Sequence, residues 1–161
     1  MRSDALATRT RAVLAFHVHD VWLGAPMEEV AGIAALERLV SLPGQREPLE
    51  GVIAFRGDVV PTIDLAGLLG MKTGRVSNDR RCAVVLARGT ERFGLLVPDL
   101  PILRSAHDIH TLDAGSADPR LRSITALLVE SDGKRIHCLE YWPLIDAILP
   151  PSEAAHSTHA H

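Results

Sequence analysis

The run from Gly51 to Gly70, GVIAFRGDVVPTIDLAGLLG, constrains the fold more than any other stretch of the chain. Two β-branched segments flank a glycine, which is the pattern of a hairpin. Val52 to Arg56 reads as the first strand. Gly57-Asp58 suits a two-residue type II′ turn, since glycine at the first central position takes the positive φ that turn needs. Val59 to Leu65 reads as the returning strand. Pro61 has no N–H for a ladder, so this strand is expected at an edge or with a bulge. Asp64 is placed to cap a short helix, LAGLL, which Gly70 ends.

The same grammar recurs on both sides. Leu14, Phe16 and Val18 alternate with His17 and His19, as in a half-buried strand. VWLGAP follows, and Gly24 with Pro26 ends or bends it. Val30, Ile33, Leu36 and Leu39 lie at spacings of three, which suggests a short strand and then a helical or irregular connection up to residue 42. The run from Leu42 to Glu50 reads as a loop, marked by Pro43, Gly44 and Pro48. MKTGRVSNDR, residues 71–80, is a polar connection. RCAVVLA and FGLLVP are strands about the turn RGTER, and HDIHTLDAGSADPR reads as a long loop. SITALLVE and RIHCLE form a hairpin about Asp132-Gly133, a type I′ signal. Pro143 suits the first turn of a final helix, Pro143 to Leu149. Residues 1–12 and 150–161 are expected to be flexible tails.

Many short strands with little helix indicate an all-β chain, and two strand clusters suggest two small barrels rather than one sandwich. The ordered unit is expected over residues 13–149. Its first lobe is mainly 13–70 and its second mainly 80–149.

Charge and composition remove several function classes. Lys and Arg total 17 against 20 Asp and Glu, a net −3, which gives no electrostatic footprint for nucleic acid. Aromatics are only 4%, too few for a base-stacking barrel. No apolar run reaches the ~20 residues of a membrane helix, and the N-terminus has no apolar signal core. A cytoplasmic protein without membrane insertion is expected. Cys82 and Cys138 then read as two buried thiols in a reducing compartment. His17 and His19 share one face of the expected strand, but no third ligand is specified. His107 and His110 sit in a loop without Cys or Glu at metal spacing. No metal or cofactor is expected, and the tail histidines His156, His159 and His161 are scavengers at most. There is no Gly-x-Ser-x-Gly and no phosphate loop, so a small serine or metal enzyme is a rival without a motif.

With these residues in place, the chain resembles the CheW-like domain family, the coupling proteins of bacterial chemotaxis arrays. The family's central signature has a Gly-Val-Ile strand, Arg-Gly, a Pro-hydrophobic-Ile/Val-Asp-Leu strand and a short helix ending in Gly. It falls here on Gly51, Val52, Ile53, Arg56, Gly57, Pro61, Ile63, Asp64, Leu65 and Gly70. Phe16, Val18, Trp22, Ala25, Pro26, Val30 and Ile33 follow the family's first strands, and Gly94 to Val97 a later one. The resemblance implies two five-stranded SH3-like barrels with a C-terminal helix. It also implies a non-catalytic adaptor that holds the regulatory domain of a CheA-type histidine kinase and the cytoplasmic tip of a chemoreceptor. The partner contact it implies is Arg56, Gly57 and Asp58, with Arg56 in the receptor-facing region between the barrels. An adaptor outside chemotaxis, in pilus motility or surface sensing, is the alternative. Departures from the pattern are Ala54, Ala66 and the run Val97-Pro98-Asp99-Leu100-Pro101. The two prolines there are expected to reshape a sheet edge.

Overall fold

The computed structural model describes residues 12–36, 39–44, 48–71 and 82–148. Apart from Ala12, the expected tails lie outside these residues, as do most of the polar connection and Leu149. The strands are β1 (Ala12–Val18), β2 (Val21–Pro26), β3 (Val30–Ala35), β4 (Leu49–Phe55), β5 (Asp58–Asp64), β6 (Cys82–Arg88), β7 (Glu91–Val97), β8 (Ile102–Ser105), β9 (His110–Leu112), β10 (Thr125–Ser131) and β11 (Lys134–Leu139). The described residues also include two α-helices, α1 (Leu65–Leu68) and α2 (Tyr141–Ile148), and short 3-10 turns between strands. The all-β expectation holds. One sheet has five strands in the order β3-β6-β7-β5-β4, and the other has six, β8-β1-β2-β11-β10-β9. The sixth strand comes from the stretch expected as a long loop, where His110–Leu112 pairs with β10.

The two sheets are not the two halves of the chain, which corrects the expected lobe boundaries. β1 and β2 belong with β8 to β11, and β3 to β7 form the other sheet. Parallel pairing is the reason. β11 runs parallel to β2 from Ile136↔Trp22 to Cys138↔Gly24, and β5 runs parallel to β7 from Thr62↔Gly94 to Asp64↔Leu96. Such pairs need crossovers, which a hairpin-by-hairpin reading does not supply. The chain returns to the six-stranded sheet between Val97 and Ile102. Pro98 and Pro101 sit in this crossover and take no ladder position.

Three apolar clusters hold the structure. Val13, Ala15, Leu127, Val129, Ile136 and Cys138 fill the six-stranded barrel. Ile53, Phe55, Val60, Ala83, Val85 and Leu96 fill the five-stranded one. The largest cluster lies between them and joins Leu14, Phe16, Val18 and Leu23 to Ile63, Val84, Leu86, Leu95 and Val97. Successive residues of β1 and β6 therefore enter different cores. Both faces of these strands are covered, so β1 is not the half-buried strand its histidines suggested. His19 leaves the strand altogether. It lies in the β1–β2 turn at φ +57, and does not share a strand face with His17.

The C-terminal helix fastens one barrel to the other. It follows β11 directly, and Tyr141, Trp142 and Ile145 enter the shared core. The Tyr141 hydroxyl donates to the Gly24 carbonyl at 2.7 Å. Arg88, at the end of β6, grips Asp146 through two nitrogens at 3.1 and 3.2 Å and lies 4.2 Å from the Trp142 ring centre. Within the six-stranded barrel itself, His137 is buried on β11 and ties that strand to β2 and to the segment between β9 and β10. Its Nε2 accepts from the Asp118 N–H at 3.0 Å and its Nδ1 lies 2.9 Å from the Trp22 carbonyl. An N–H can only donate and a carbonyl only accept, so both contacts require the neutral Nδ1–H tautomer.

Local details follow the sequence in part. Gly70 ends α1 at φ +70, with Met71 N–H donating to Ala66 and Gly70 N–H to Gly67, the two bonds of a Schellman cap. Asp64 stands at the N-cap but makes no side-chain capping bond, unlike the expectation. Pro61 lies in an internal strand rather than at an edge. It is tolerated because β5 meets β7 only from Thr62 onward, so its missing N–H faces a side without a ladder partner.

Candidate partner-binding surfaces

Phe55 pairs with Asp58 across the β4–β5 hairpin, so the two turn residues are Arg56 and Gly57. Their φ values are +48 and +85, as in a type I′ turn. The sequence placed the turn one residue later, at Gly57-Asp58, because arginine gives no hint that it will accept positive φ. Asp58 is instead the first residue of β5. The Arg56 guanidinium lies 4.8 Å from the Phe55 ring centre. Gly32 on β3 leaves room for that pair: a Cβ there would stand 2.7 Å from the Phe55 ring and 3.5 Å from an Arg56 nitrogen. Arg56 thus covers the end of the five-stranded barrel's core. Phe55 and Gly32 were not singled out from sequence. The spacing of a β3 glycine against an aromatic before Arg-Gly is a signal only once the strands are paired.

Exposed apolar side chains stand on both barrels. Val59, beside the Arg56 turn, is 71% exposed, and Ile33, Val40 and Leu42 are exposed on the same barrel. On the crossover and β8, Leu100 is 74% exposed, with Ile102 and Leu103 beside it. Each barrel therefore carries one apolar set.

Two concavities lie where the β1–β2 turn meets the five-stranded sheet. One, of about 200 Å³, is lined by His17, Val18, His19, Asp64, Ala66 and the run Leu96 to Asp99. On the other side of His19, a broader one is bounded by Asp20, Arg120 and Leu69 to Met71. Arg120 binds both Asp20 and Asp118 at 2.9 Å. It holds the Asp118 carboxyl down to about 2. Arg56, Gly57 and Asp58 line neither concavity. Among the described residues, no three His, Cys, Asp or Glu side chains are grouped to hold a metal ion.

The cysteines offer no reactive group. Burial pushes the Cys82 thiol up to about 11 and the Cys138 thiol up to about 12, so neither forms thiolate near neutrality. In the native protein at pH 8, neither is expected to react with a thiol-exchange dye over minutes, and both should react at once in denaturant. Rapid native labelling would show that one is accessible.

Paired barrels around one shared core, with exposed apolar side chains on each, define a two-barrel domain. The chain belongs to the CheW-like domain family, whose model matches residues 12–148. It is 25% identical over 150 residues to the chemotaxis protein CheW of Thermotoga maritima, covering 92% of this chain and 96% of that one. It is 32% identical to the protein PilI of Pseudomonas aeruginosa over 79 residues, 49% of this chain and 44% of PilI. In fold it is similar to the crystal structure of the scaffolding protein TtCheW from Thermoanaerobacter tengcongensis. That match has a TM-score of 0.67 at 18% identity and covers 84% of this chain and 87% of the other. Among the described residues, no helix is long and apolar enough to cross a membrane.

Proposed function

We propose that the chain is a cytoplasmic, non-catalytic adaptor that joins the regulatory domain of a CheA-type histidine kinase to the cytoplasmic tip of a chemoreceptor. The observation that carries this reading is the pair of exposed apolar sets, one on each barrel of a body with a continuous core. Charge-poor apolar surface is what the centre of a protein interface requires. Two such sets on one scaffold allow two partners to be held at once, and tethering raises their effective concentration for each other. We assign Arg56, Gly57 and Asp58 to the receptor contact. A guanidinium presented on a tight turn can grip a partner carboxylate through two bonds. The name of the Thermotoga relative favours a chemotaxis pathway. The similarity to PilI supports the second reading, an adaptor of another chemosensory pathway such as pilus motility.

The test is isothermal titration with the isolated regulatory domain of the kinase from the same genome. Binding at tens of micromolar or tighter is expected, the ordinary regime for an adaptor that must also let go. Absence of both heat and co-elution at that concentration would remove the kinase arm of the proposal.

A further inference from the structure

We propose that a concavity on the six-stranded barrel, beside His137, binds a small organic phosphate and holds its phosphate group between Arg122 and Arg135. Both arginines line this space. They come from different elements, the 3-10 turn Arg122–Ile124 and the strand β11. Each is tied to one of two consecutive carbonyls. Arg135 donates to the Ser116 carbonyl at 3.0 Å, and Arg122 donates to the Ala117 carbonyl at 3.2 Å. Successive Cα atoms stand only ~3.8 Å apart, so one short stretch of chain holds two like charges side by side. A guanidinium carries several N–H donors in a planar fork, and each of these arginines gives one nitrogen to its carbonyl. The remaining donors suit an oxyanion.

The charge around the pair points the same way. Among the described residues, neither Arg122 nor Arg135 makes an ion pair. Two carboxylates also line the concavity, Asp20 and Asp118, but Arg120 binds both at 2.9 Å. Glu130 stands opposite Arg135 across the β10–β11 hairpin, and the two form no ion pair. His137 lines the space with both ring nitrogens already engaged. Adjacent guanidiniums favour one group that carries both negative charges itself. A phosphate monoester does so near neutrality, and a single carboxylate does not. At about 640 Å³ the space lies within the ~300–1,000 Å³ of small-molecule sites. Val21, Trp22, Ala117 and Pro119 supply an apolar wall for the organic part. Lys134, 5.0 Å from the Trp22 ring centre, adds a third positive charge beside that wall. The Arg56 turn belongs to the other barrel, so this assignment goes beyond the adaptor reading and does not depend on it.

The experiment is isothermal titration of the full chain with phenyl phosphate, phenyl sulfate and inorganic phosphate at one fixed ionic strength. Phenyl phosphate should bind with a Kd of ~1 mM or tighter. Phenyl sulfate has the same shape with a single negative charge and should bind about fivefold more weakly. Inorganic phosphate lacks the body that meets the Trp22 wall and should bind about tenfold more weakly. In a Trp142→Phe background, Trp22 emission should shift on addition of phenyl phosphate and give the same Kd. Arg122→Gln and Arg135→Gln should each weaken phenyl phosphate binding about tenfold. Arg92→Gln, on the five-stranded barrel, removes the same charge elsewhere and should leave binding unchanged. Arg135 is exposed, so its variant should melt with wild type and decides the matter if Arg122→Gln does not fold. Absence of phenyl phosphate binding to wild type at ~10 mM would overturn the assignment. Equal binding by wild type and Arg135→Gln would also overturn it, as would inorganic phosphate binding as tightly as phenyl phosphate, which would mean an adventitious ion only.

Discussion

Phe16→Ala will lower the stability of both barrels together, by about 3–5 kcal/mol, in a single unfolding transition. Phe16 is fully buried on β1 and lies in the cluster that joins the two sheets. Truncation there leaves a void between the barrels rather than inside one of them. A loss of that size is a large part of the ~5–15 kcal/mol that holds an ordinary domain together. Two tryptophans make the cooperativity visible. Trp22 packs against the core of the six-stranded barrel, while Trp142 meets Phe93 of β7 at 5.6 Å between ring centres. Urea titrations of Trp22→Phe and Trp142→Phe, each with and without Phe16→Ala, report the two regions separately. Each truncation should move the midpoint of its pair by the same free energy. Transitions that separate by probe would mean that the barrels unfold independently and that the shared core does not couple them.

Arg56→Glu should weaken receptor binding by about 2 kcal/mol or more, because a lost pairing is compounded by repulsion. Its effect on folding should be small. The guanidinium stacks on Phe55 from an exposed position, a contact worth ~0.5–1 kcal/mol. Arg56→Asn separates the two roles more cleanly. Asparagine tolerates positive φ better than arginine, so it should fold at least as well at φ +48 while removing the charge. The expected pattern is an unchanged or slightly higher melting temperature with receptor affinity down about tenfold. Kinase-domain titration serves as the control and should move less. If Arg56→Asn keeps full receptor affinity, the turn is only a turn and the contact lies elsewhere.

Much of the fold could be read from local signals because hairpins are local. Asp132-Gly133 has φ +52 and +73, the type I′ turn that its sequence predicts. Gly70, the hairpin strands and the final helix also lie close to their expected places. What escaped reading depends on residues far apart in sequence. The partition of strands into sheets turns on two parallel pairings, and no nearby residue announces either. β9 is three residues long and gains its strand geometry from β10. The same division applies to the candidate surfaces. Arg56 stood out through its motif, but its seat on Phe55 beside Gly32 needed β3 and β4 to be brought together in space. His19 was read as a strand residue because its neighbours alternate. The turn that carries it appears only once Val18 is paired with Val21. The concavity below it needs three separate stretches of chain to converge.

The interleaved sheets set an order on synthesis. As the chain emerges from the N-terminus, β3 to β7 are complete by Val97, so the five-stranded sheet has all its strands first. β1 and β2 are made earlier but must wait. The β2 edge that takes β11 stays unfilled until residues past 134 arrive, and His137 reaches the Trp22 carbonyl across 115 positions. A hairpin with an apolar face, its β1 edge open until β8 is made and its β2 edge until β11, is a site for wrong pairing during that interval. The late strands therefore decide whether the early ones are safe. Truncation just after Val97 should yield a chain that aggregates through β1 and β2, although more than half of its residues would already have native partners to find.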